Sequence, residues 1–443
     1  MKTGSFEMMR AYRAKILVVI LGVLLASLGL VVTSPAYAAT LTVNNTADPG
    51  DGDCNPDGGC TLREAINEAN ATTADTIRFD IPGDDVKTIS PTSQLPIISE
   101  RLTIDGYSQH GADENELANG TDAVLKIELN GEDAGPSSAA LRVRASDCVI
   151  KGLAINRFGG NSIQIGHPGF EVRNNKVVGN FIGTDPTGLM PRPNHAGVAL
   201  ISDPGSFHNI VGGPRPAARN LISGNDQAGV LIVGVEDNSI FGNLIGTTRN
   251  GTDALGNSGD GVRMFAGQGG ATDNIVGGTL PDTANTIAFN GEDGVQIENT
   301  NSIGNGILRN SIFSNDEQGI DLGNDGATAN DEDDPDDGPN NLQNKPNLTS
   351  AENSGGETTV EGTLNSLSNR IFRIRFFSNP SGGEGKKYIG AKSGVETNQN
   401  GNDSFTFKPE NKVPAGHTIT ATATRGSTGD TSEFSGAQSV EAP

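Results

Sequence analysis

The sequence predicts an all-β protein whose main body is a parallel β-helix, a solenoid in which the short strands of successive laps stack on one another. Three observations support this prediction. The 443 residues include 60 Gly and no Trp, which indicates frequent tight turns and few long helices. Short apolar segments separated by Gly, Asn and Asp follow one another from Thr76 to Leu348. Two short motifs also recur at nearly equal spacing.

The first motif, "NIVGG", begins at Asn209 and again at Asn274, 65 positions later. The second is "GNFIGT" at Gly179 and "GNLIGT" at Gly242, 63 positions apart. Such repetition is typical of solenoids, in which every unit stacks on the one before it. A unit of this length divides into three laps of about 21 residues, so each copy should mark the same corner of the solenoid.

Four segments share an Asn, three further residues, and a Gly followed by a β-branched residue. They begin at Asn225, Asn257, Asn290 and Asn315. We expect these Asn side chains to stack on one another at one corner, where Asn tolerates a left-handed backbone, and we expect the Gly to supply the next bend. The alternative is a set of ordinary polar loops.

Two longer segments, which begin at Asp185 and Thr248, each follow a copy of the GN-x-IGT motif. Both should therefore project from the same side of the rod. Solenoids commonly bind their partners through loops gathered on one face.

Residues 1–38 contain a basic start, an apolar run and a small-x-small end, which predicts a signal peptide cleaved after Ala38. The alternative is an uncleaved membrane anchor. Cleavage removes four of the 31 basic and one of the 54 acidic residues, which changes the net charge from −23 to −26. This charge disfavours nucleic acid and anionic lipid as partners. We therefore expect an exported protein, extracellular or at the cell surface, with no membrane span after cleavage.

Residues 39–75 are predicted to form an N-terminal cap. Thr61 and Glu64 form a capping-box pair at the start of an amphipathic helix over "TLREAINEAN", and this helix should cover the open end of the β-helix. Cys54 and Cys60 flank a turn-rich segment and predict a disulfide in an exported protein, with two free thiols as the alternative. Cys148 lies in an apolar run and is interpreted as a small buried hydrophobic residue.

The β-helix is predicted to occupy residues 76–348 and a β-sandwich accessory domain residues 349–443. The latter segment has longer strands with period-two alternation, which predicts an antiparallel β-sandwich. In "RIFRIRFF" the apolar Phe372, Ile374 and Phe376 share one face, and Arg373 and Arg375 take the other.

The segment "CTLREAIN" resembles the CSLREA motif that follows the signal peptide in many exported bacterial proteins, with Thr61 in place of its Ser. The repeats "NLISGN", "GNLIGT" and "NIVGG" are similar to the right-handed parallel β-helix repeats found behind that motif, and the C-terminal strands look like the accessory sandwich of such chains. The resemblance implies a right-handed parallel β-helix of the pectin-lyase-like fold. That fold includes polysaccharide lyases, hydrolases, tailspikes and adhesins, so it does not select an activity.

Candidate catalytic residues emerge when the repeats are aligned on their Gly. The alignment places one residue from each of five strands in a single column, with two Asp residues beside it. The column contains Ala199, Leu231, Arg263, Gln296 and Asp321, and Asp260 and Asp293 lie beside it. A calcium-dependent lyase needs carboxylates for the metal and an Arg or Lys near the carbon acid. Arg263, Asp260, Asp293 and Asp321 are thus the candidate set, and the alternative is a solvated polar ladder.

The acidic segment before the domain change offers hard oxygen ligands for calcium, although its spacing is not that of an EF-hand. Its carboxylates are Asp331, Asp333, Asp334, Asp336 and Asp337. The alternative is a solvated acidic linker. No cofactor other than calcium is predicted.

The sequence contains no complete catalytic motif. The favoured prediction is a secreted or cell-surface β-helix protein that binds a carbohydrate or an envelope or extracellular partner. One alternative is a polysaccharide lyase, working by calcium-assisted β-elimination, or a glycoside hydrolase that acts in the lateral groove. The other alternative is a purely structural envelope protein.

Overall fold

The computed structural model describes residues 39–442, apart from 49–51, 53, 55–58, 73–74, 170, 202–205 and 268. The predicted signal peptide lies outside the described residues. Within them, no helix is both long enough and apolar enough to cross a bilayer.

Three parallel sheets run along the main body. Sheet 1 contains nine described strands: Thr40–Val43, Asp75–Phe79, Leu102–Asp105, Val149–Lys151, Lys176–Val178, Ile210–Gly212, Ser239–Phe241, Ile275–Gly277 and Gly306–Leu308. Sheet 2 contains eight: Lys87–Ile89, Ile127–Asn130, Leu153–Asn156, Phe181–Ile182, Leu221–Ile222, Leu244–Ile245, Thr286–Ala288 and Ser311–Phe313. Sheet 3 contains seven: Leu141–Val143, Asn161–Ile165, Ala196–Ile201, Val230–Val233, Val262–Phe265, Val295–Ile297 and Ile320–Leu322.

From Val149 onward the chain visits sheet 1, sheet 2 and sheet 3 in turn on each lap and then returns to sheet 1, one strand further along. All pairings between neighbouring laps are parallel, as between Ile210–Gly212 and Ser239–Phe241. The predicted parallel β-helix is therefore confirmed. Crossover connections between parallel strands are right-handed almost without exception, which is the hand that the sequence resemblance implies. Two short parallel strands outside the three sheets, Val172–Arg173 and Ser206–Phe207, pair with each other.

Columns of identical or similar apolar side chains fill the interior. In sheet 2 one column consists of six isoleucines in register, all almost fully buried: Ile155, Ile182, Ile222, Ile245, Ile287 and Ile312. Burying one such side chain contributes about 1.5–3 kcal/mol. Because each lap adds one side chain to every column, the stacking itself builds the core.

Buried Asn side chains form ladders along all three corners of the β-helix. In the ladder between sheets 2 and 3, the Nδ2 of Asn225 donates to the Oδ1 of Asn257 at 2.8 Å, and the Nδ2 of Asn257 donates to Asn290 at 2.9 Å. The predicted stacking at this corner is confirmed. The other two ladders contain Asn180, Asn220, Asn243, Asn285 and Asn310, and Asn175, Asn209, Asn238, Asn274 and Asn305.

The prediction that the ladder Asn itself takes the left-handed backbone was wrong. The residue before it does so, as at Phe289 with φ 61° and Ser314 with φ 57°. The ladder Asn accepts and donates hydrogen bonds with its side chain while its own backbone N–H binds the next lap, as at Asn225. The backbone of the ladder Asn therefore has to run in the direction of the next strand. The left-handed residue that turns the chain is the one before it.

The Gly that lies four residues after the Asn in each of these motifs is needed for close approach between laps rather than for a left-handed bend. A Cβ added at Gly261 would lie 2.6 Å from the carbonyl oxygen of Gly294 and 2.9 Å from the Nδ2 of Asn290. Any larger residue at this position would push neighbouring laps apart.

The prediction of three laps of about 21 residues was also wrong, because the two copies of NIVGG are separated by two laps. Ile210 pairs with Ser239, and Ser239 pairs with Ile275. Alternate laps carry extra loops between sheets 1 and 2, at 213–220 and 278–285, which contain the 3₁₀ turns Pro216–Ala218 and Pro281–Thr283. These insertions lengthen the laps, and the repeating unit is a pair of laps.

The N-terminal helix, α1 (Leu62–Ala69), caps the first strands of sheet 1. Thr61 and Glu64 form the predicted capping box, and the apolar face of α1 is buried in the same core as the β-helix interior. The disulfide between Cys54 and Cys60 is present, and Cys148 is free and buried. These three predictions are confirmed.

After the fourth described 3₁₀ turn, Pro339–Leu342 (the first is Gly106–Ser108), pairing becomes antiparallel. One sheet contains Asn347–Ser354, Glu357–Asn365 and Asn402–Phe407, and the facing sheet contains Lys387–Glu396, Ile371–Asn379, Thr418–Arg425 and Gln438–Ser439. Residues of both sheets share one core, and Phe376 and Phe407 stack with ring centroids 4.1 Å apart. The C-terminal β-sandwich was predicted correctly.

Segments of the sandwich cover the last strand of each β-helix sheet. Gly385 forms an antiparallel bridge with Ile312 of sheet 2. The backbone N–H of Ile307 in sheet 1 donates to the Oγ1 of Thr431 at 3.2 Å, and that of Leu322 in sheet 3 donates to Glu433 at 3.3 Å. The sandwich thus partners backbone groups that would otherwise form open edges.

Candidate functional site

Five loops on one side of the β-helix contact one another and form what we call the loop surface: 115–123, 185–192, 213–219, 248–254 and 278–284. The backbone N–H of Arg249 donates to the carbonyl oxygen of Gly188 at 3.1 Å, and that of Thr121 donates to the carbonyl oxygen of Arg249 at 2.7 Å. The two longer segments after the GN-x-IGT motif therefore lie on the same side, as predicted.

A groove of about 620 Å³, the loop groove, lies within this surface. Its walls are the inserted loops of alternate laps, and its floor includes the tight corner at Asn243 and Leu244. The guanidinium of Arg219 spans one wall, where it donates to the carbonyl oxygens of Gly120 and Gly242. The lining is mainly backbone, amide and small side chains, which are suited to many hydrogen bonds with an extended polar ligand.

Large apolar side chains are exposed on the loops around the groove. The exposed fractions are 45% for Leu117, 52% for both Leu189 and Met190, and 62% for Leu280. Exposed apolar side chains gathered on one surface are typical of a binding site. The loop surface therefore combines a groove with exposed apolar side chains on the same loops.

The candidate catalytic residues lie in sheet 3 and at the corner that precedes it. Arg263 pairs with Leu231 on one side and with Gln296 on the other, and Gln296 pairs with Asp321. Asp260 and Asp293 occupy successive laps, and the backbone N–H of Asp293 donates to Asp260 Oδ1 at 3.0 Å. The structure therefore brings the four residues of the candidate set into one cluster, which we call the carboxylate column.

The three carboxylates of this column are enclosed. Asp260 and Asp293 are fully buried and Asp321 is 2% exposed. Burial raises the pKa of Asp260 to about 7 and that of Asp293 to about 7, and it also raises the pKa of Asp321. A substrate in solvent has no access to these carboxyl groups in this arrangement.

Arg263 is held by Glu298, a residue that sequence reasoning missed. Its Nε donates to Glu298 Oε1 at 2.8 Å, whereas its Nε lies 4.0 Å from Asp260 Oδ2. Glu298 lies two residues after Gln296 and so shares its face of the strand, a period-two signal that could have identified it. The Arg263–Glu298 pair and the intrachain hydrogen bonds of Asp293 and Asp321 hold the side chains of the column in place.

The acidic segment near the sandwich gathers three of its five predicted ligands. Carboxylate oxygens of Asp331, Asp334 and Asp336 lie within 4.8 Å of one another. The backbone N–H of Asp333 instead donates to the side-chain oxygen of Asn365 at 2.8 Å. Asp337 is exposed and lies outside the group. Burial raises the pKa of Asp334 to about 6. Hard carboxylate oxygens of this kind suit Ca²⁺.

We expect Ca²⁺ to raise the thermal midpoint of unfolding through this cluster. At a free concentration of 100 times the dissociation constant, binding to the folded state adds about 2.7 kcal/mol, or roughly 3 °C for a chain of this size. Within the described residues Asp336 Oδ1 is buried without a hydrogen-bond partner, so Asp336→Asn should abolish the increase. The exposed Asp337→Asn is the matched control. A midpoint that neither Ca²⁺ nor chelator changes would rule out the site.

Comparison with known proteins identifies no family. No family model matches the sequence, and no curated protein matches it. Among solved structures, the Dettilon tailspike protein is similar with 14% identity and a TM-score of 0.24, over 89% of this chain and 91% of that chain. The enzymatically active domain of tailspike protein 2 of bacteriophage CBA120 shows 11% identity and a TM-score of 0.16, over 82% of this chain and 66% of that one. At these values no argument about this protein's activity or partners rests on the similarity.

Proposed function

We propose that this protein is exported and binds a carbohydrate of an extracellular or envelope polymer through the loop surface, without catalysing a reaction. The signal-like N-terminus and the CSLREA-like segment around Thr61 support export. The loop groove carries the proposal for binding, because it is an open cleft with both polar and apolar lining residues, built by loops on one side of the β-helix.

Rigidity of the support favours a binding role. The groove floor at Asn243 and Asn285 belongs to a buried amide ladder in which neighbouring side chains donate to one another at 3.0 Å. Loops on a support fixed in this way lose little conformational entropy when a ligand binds. A rod with fixed polar groups along one side fits an extended polymer better than a compact small molecule.

The enclosed carboxylate column supports the non-catalytic half of the proposal. General acid or base catalysis needs a carboxyl group within hydrogen-bonding reach of the substrate. Asp260 and Asp293 are fully buried, and Arg263 is engaged by Glu298. Asp321, the third carboxylate of the candidate set, is 2% exposed.

The test is retention of residues 39–443 on a glycan array, with a variant that fills the groove. Ala118 is exposed and lines the groove, so Ala118→Trp should reduce retention about tenfold or more by steric exclusion. Ala327 is exposed and lies outside the groove, and Ala327→Trp should bind like the wild type.

Two outcomes would overturn the proposal. If the wild type is retained by none of the glycans, carbohydrate binding is wrong. If uronate polysaccharides incubated with the protein and Ca²⁺ yield an unsaturated, ultraviolet-absorbing product, the protein is a lyase rather than a binding protein.

A further inference from the structure

A second cavity, of about 480 Å³, lies where the β-helix meets the edge of the sandwich. We call it the seam pocket. Arg309, from the last described lap, lines both this pocket and the loop groove. The remaining wall comes from the sandwich and includes Lys387, Tyr388, Glu410 and Lys412. An extended ligand in the groove would therefore meet the seam pocket at Arg309.

Arg309 occupies a corner position where equivalent laps have Gly. The tight corners between sheets 1 and 2 contain Gly152, Gly179 and Gly242 with φ of 73°, 65° and 65°, and the last two directly precede the ladder residues Asn180 and Asn243. Arg309 precedes Asn310 and has φ 60°. A residue with a Cβ is strained in the left-handed region, and such strain is commonly retained for function. Non-Gly residues take this conformation before ladder Asn residues at other corners, as at Phe289 and Ser314. The equivalent tight corners between sheets 1 and 2 have Gly, so the turn itself does not require the Arg side chain.

The Arg309 guanidinium is held in place by an aromatic ring. Its Cζ lies 4.2 Å from the ring centroid of Tyr388. Stacking fixes the plane of the guanidinium, and its Nη1 also donates to the carbonyl oxygen of Thr279 at 3.4 Å, which leaves further N–H donors for a ligand. This arrangement suits a carboxylate or sulfate, which a guanidinium binds through two parallel hydrogen bonds.

The seam pocket is cationic in a strongly anionic protein. Arg309, Lys387 and Lys412 face a single carboxylate, that of Glu410. Arg375 is 4% exposed and donates to the Oγ1 of Thr424 at 2.8 Å. Among the described residues no carboxylate oxygen lies within 4.0 Å of the Arg375 guanidinium. Burial, and then the positive charge of Arg373, lowers the pKa of Arg375 to about 10, and Arg309 acts in the same direction.

The aromatic content argues against recognition by stacking on sugar rings. The chain has no Trp. Of the described residues that line either cavity, Tyr388 is the one Phe or Tyr, and Arg309 covers one of its faces. Recognition here must rely on charge and hydrogen bonds, which selects ligands with fixed negative groups.

We infer that the seam pocket binds a carboxylate or sulfate group of an acidic glycan, with Arg309 as the principal contact and Lys387 and Lys412 as supporting charges. This inference rests on the proposed carbohydrate binding and specifies its ligand class. The negative charge elsewhere on the protein then favours the single orientation that places the anionic group at the seam.

The experiment compares three polymers with one backbone: dextran, carboxymethyl-dextran and dextran sulfate, at about 0.15 M salt, where charges farther apart than about 8 Å are screened. The variants are Arg309→Gly, Lys412→Gln and, as a matched control, Lys176→Gln, which changes an exposed lysine of sheet 1. We expect the wild type to bind at least one charged polymer about tenfold more tightly than dextran. Arg309→Gly should remove this preference, Lys412→Gln should weaken it, and Lys176→Gln should leave it unchanged.

Arg309→Gly separates binding from folding, because it restores the residue that the other corners use. Its thermal midpoint should equal or exceed that of the wild type. A midpoint several degrees lower would make Arg309 a contact that holds the sandwich and would overturn the inference. Equal binding to all three dextrans, unaffected by Arg309→Gly, would also overturn it and leave the proposed function standing. Equally tight binding to duplex DNA, lost in the same variants, would overturn the glycan class. Whichever of carboxymethyl-dextran and dextran sulfate binds more tightly identifies the anionic group that the seam pocket recognises.

Discussion

Replacement of Asn257 by Ala is expected to lower the free energy of unfolding by roughly 3–5 kcal/mol, since several buried polar groups each lose a partner worth about 1–3 kcal/mol. Asn257 is 1% exposed. Its Oδ1 accepts from the backbone and the side chain of Asn225 at 3.2 and 2.8 Å. Its Nδ2 donates to the carbonyl oxygen of Ile222 at 3.1 Å and to the side chain of Asn290 at 2.9 Å.

The loss should exceed that of an ordinary hydrogen-bonded Asn, because a gap in the ladder affects the laps on both sides. The measurement is the urea or thermal midpoint of unfolding at a fixed scan rate. Asn400→Ala, at an exposed turn of the sandwich, is the control and should change stability by less than about 0.5 kcal/mol. A loss below about 1 kcal/mol for Asn257→Ala would show that the ladder is not a main source of stability.

Replacement of Asp260 by Asn is expected to stabilise the protein by roughly 2 kcal/mol more at pH 8 than at pH 5. Burial raises the pKa of Asp260 to about 7, above the value of about 3.9 in an unfolded chain. The folded state therefore holds a proton more tightly than the unfolded state does. Protonated Asp260 makes its full contribution to the free energy of unfolding below about pH 4. This contribution is lost as the pH rises to about 7.

An Asn resembles the protonated carboxyl group and still accepts the hydrogen bond from the backbone of Asp293 through Oδ1. The wild type should thus unfold at a lower temperature at pH 8 than at pH 5, and Asp260→Asn should reduce that difference. Asp133→Asn, at an exposed position, serves as the control for the change in net charge. A wild-type midpoint that rises from pH 5 to pH 8 and is unaffected by Asp260→Asn would contradict the raised pKa.

Features with local causes were predictable from the sequence. The capping box of Thr61 and Glu64 and the Cys54–Cys60 disulfide each depend on a few consecutive residues. The stacking at Asn257 and Asn290 was predictable because the offset from Asn to Gly is the same in each copy. The register between strands of sheet 3 was predictable from the same alignment, because the Gly in each lap directly precedes its strand.

Features that depend on how laps lie over one another were not predictable from local patterns. The lap length was misjudged because an insertion such as 278–285 leaves the strands in register while it lengthens the chain between them. The burial of Asp260 depends on the lap that covers it. The role of Arg309 becomes visible only when its corner is compared with the equivalent corners at Gly179 and Gly242.

The pairing of laps imposes a period along the rod. The inserted loop at 213–220 recurs two laps later at 278–285, and two laps advance by about 9.6 Å at the usual spacing between strands. A linear polymer whose own chemical repeat has a similar length would meet equivalent groups at both loops, so that two units in phase would bind more tightly than two units out of phase. A polymer with a mismatched repeat would contact one of these loops in phase and the other out of phase.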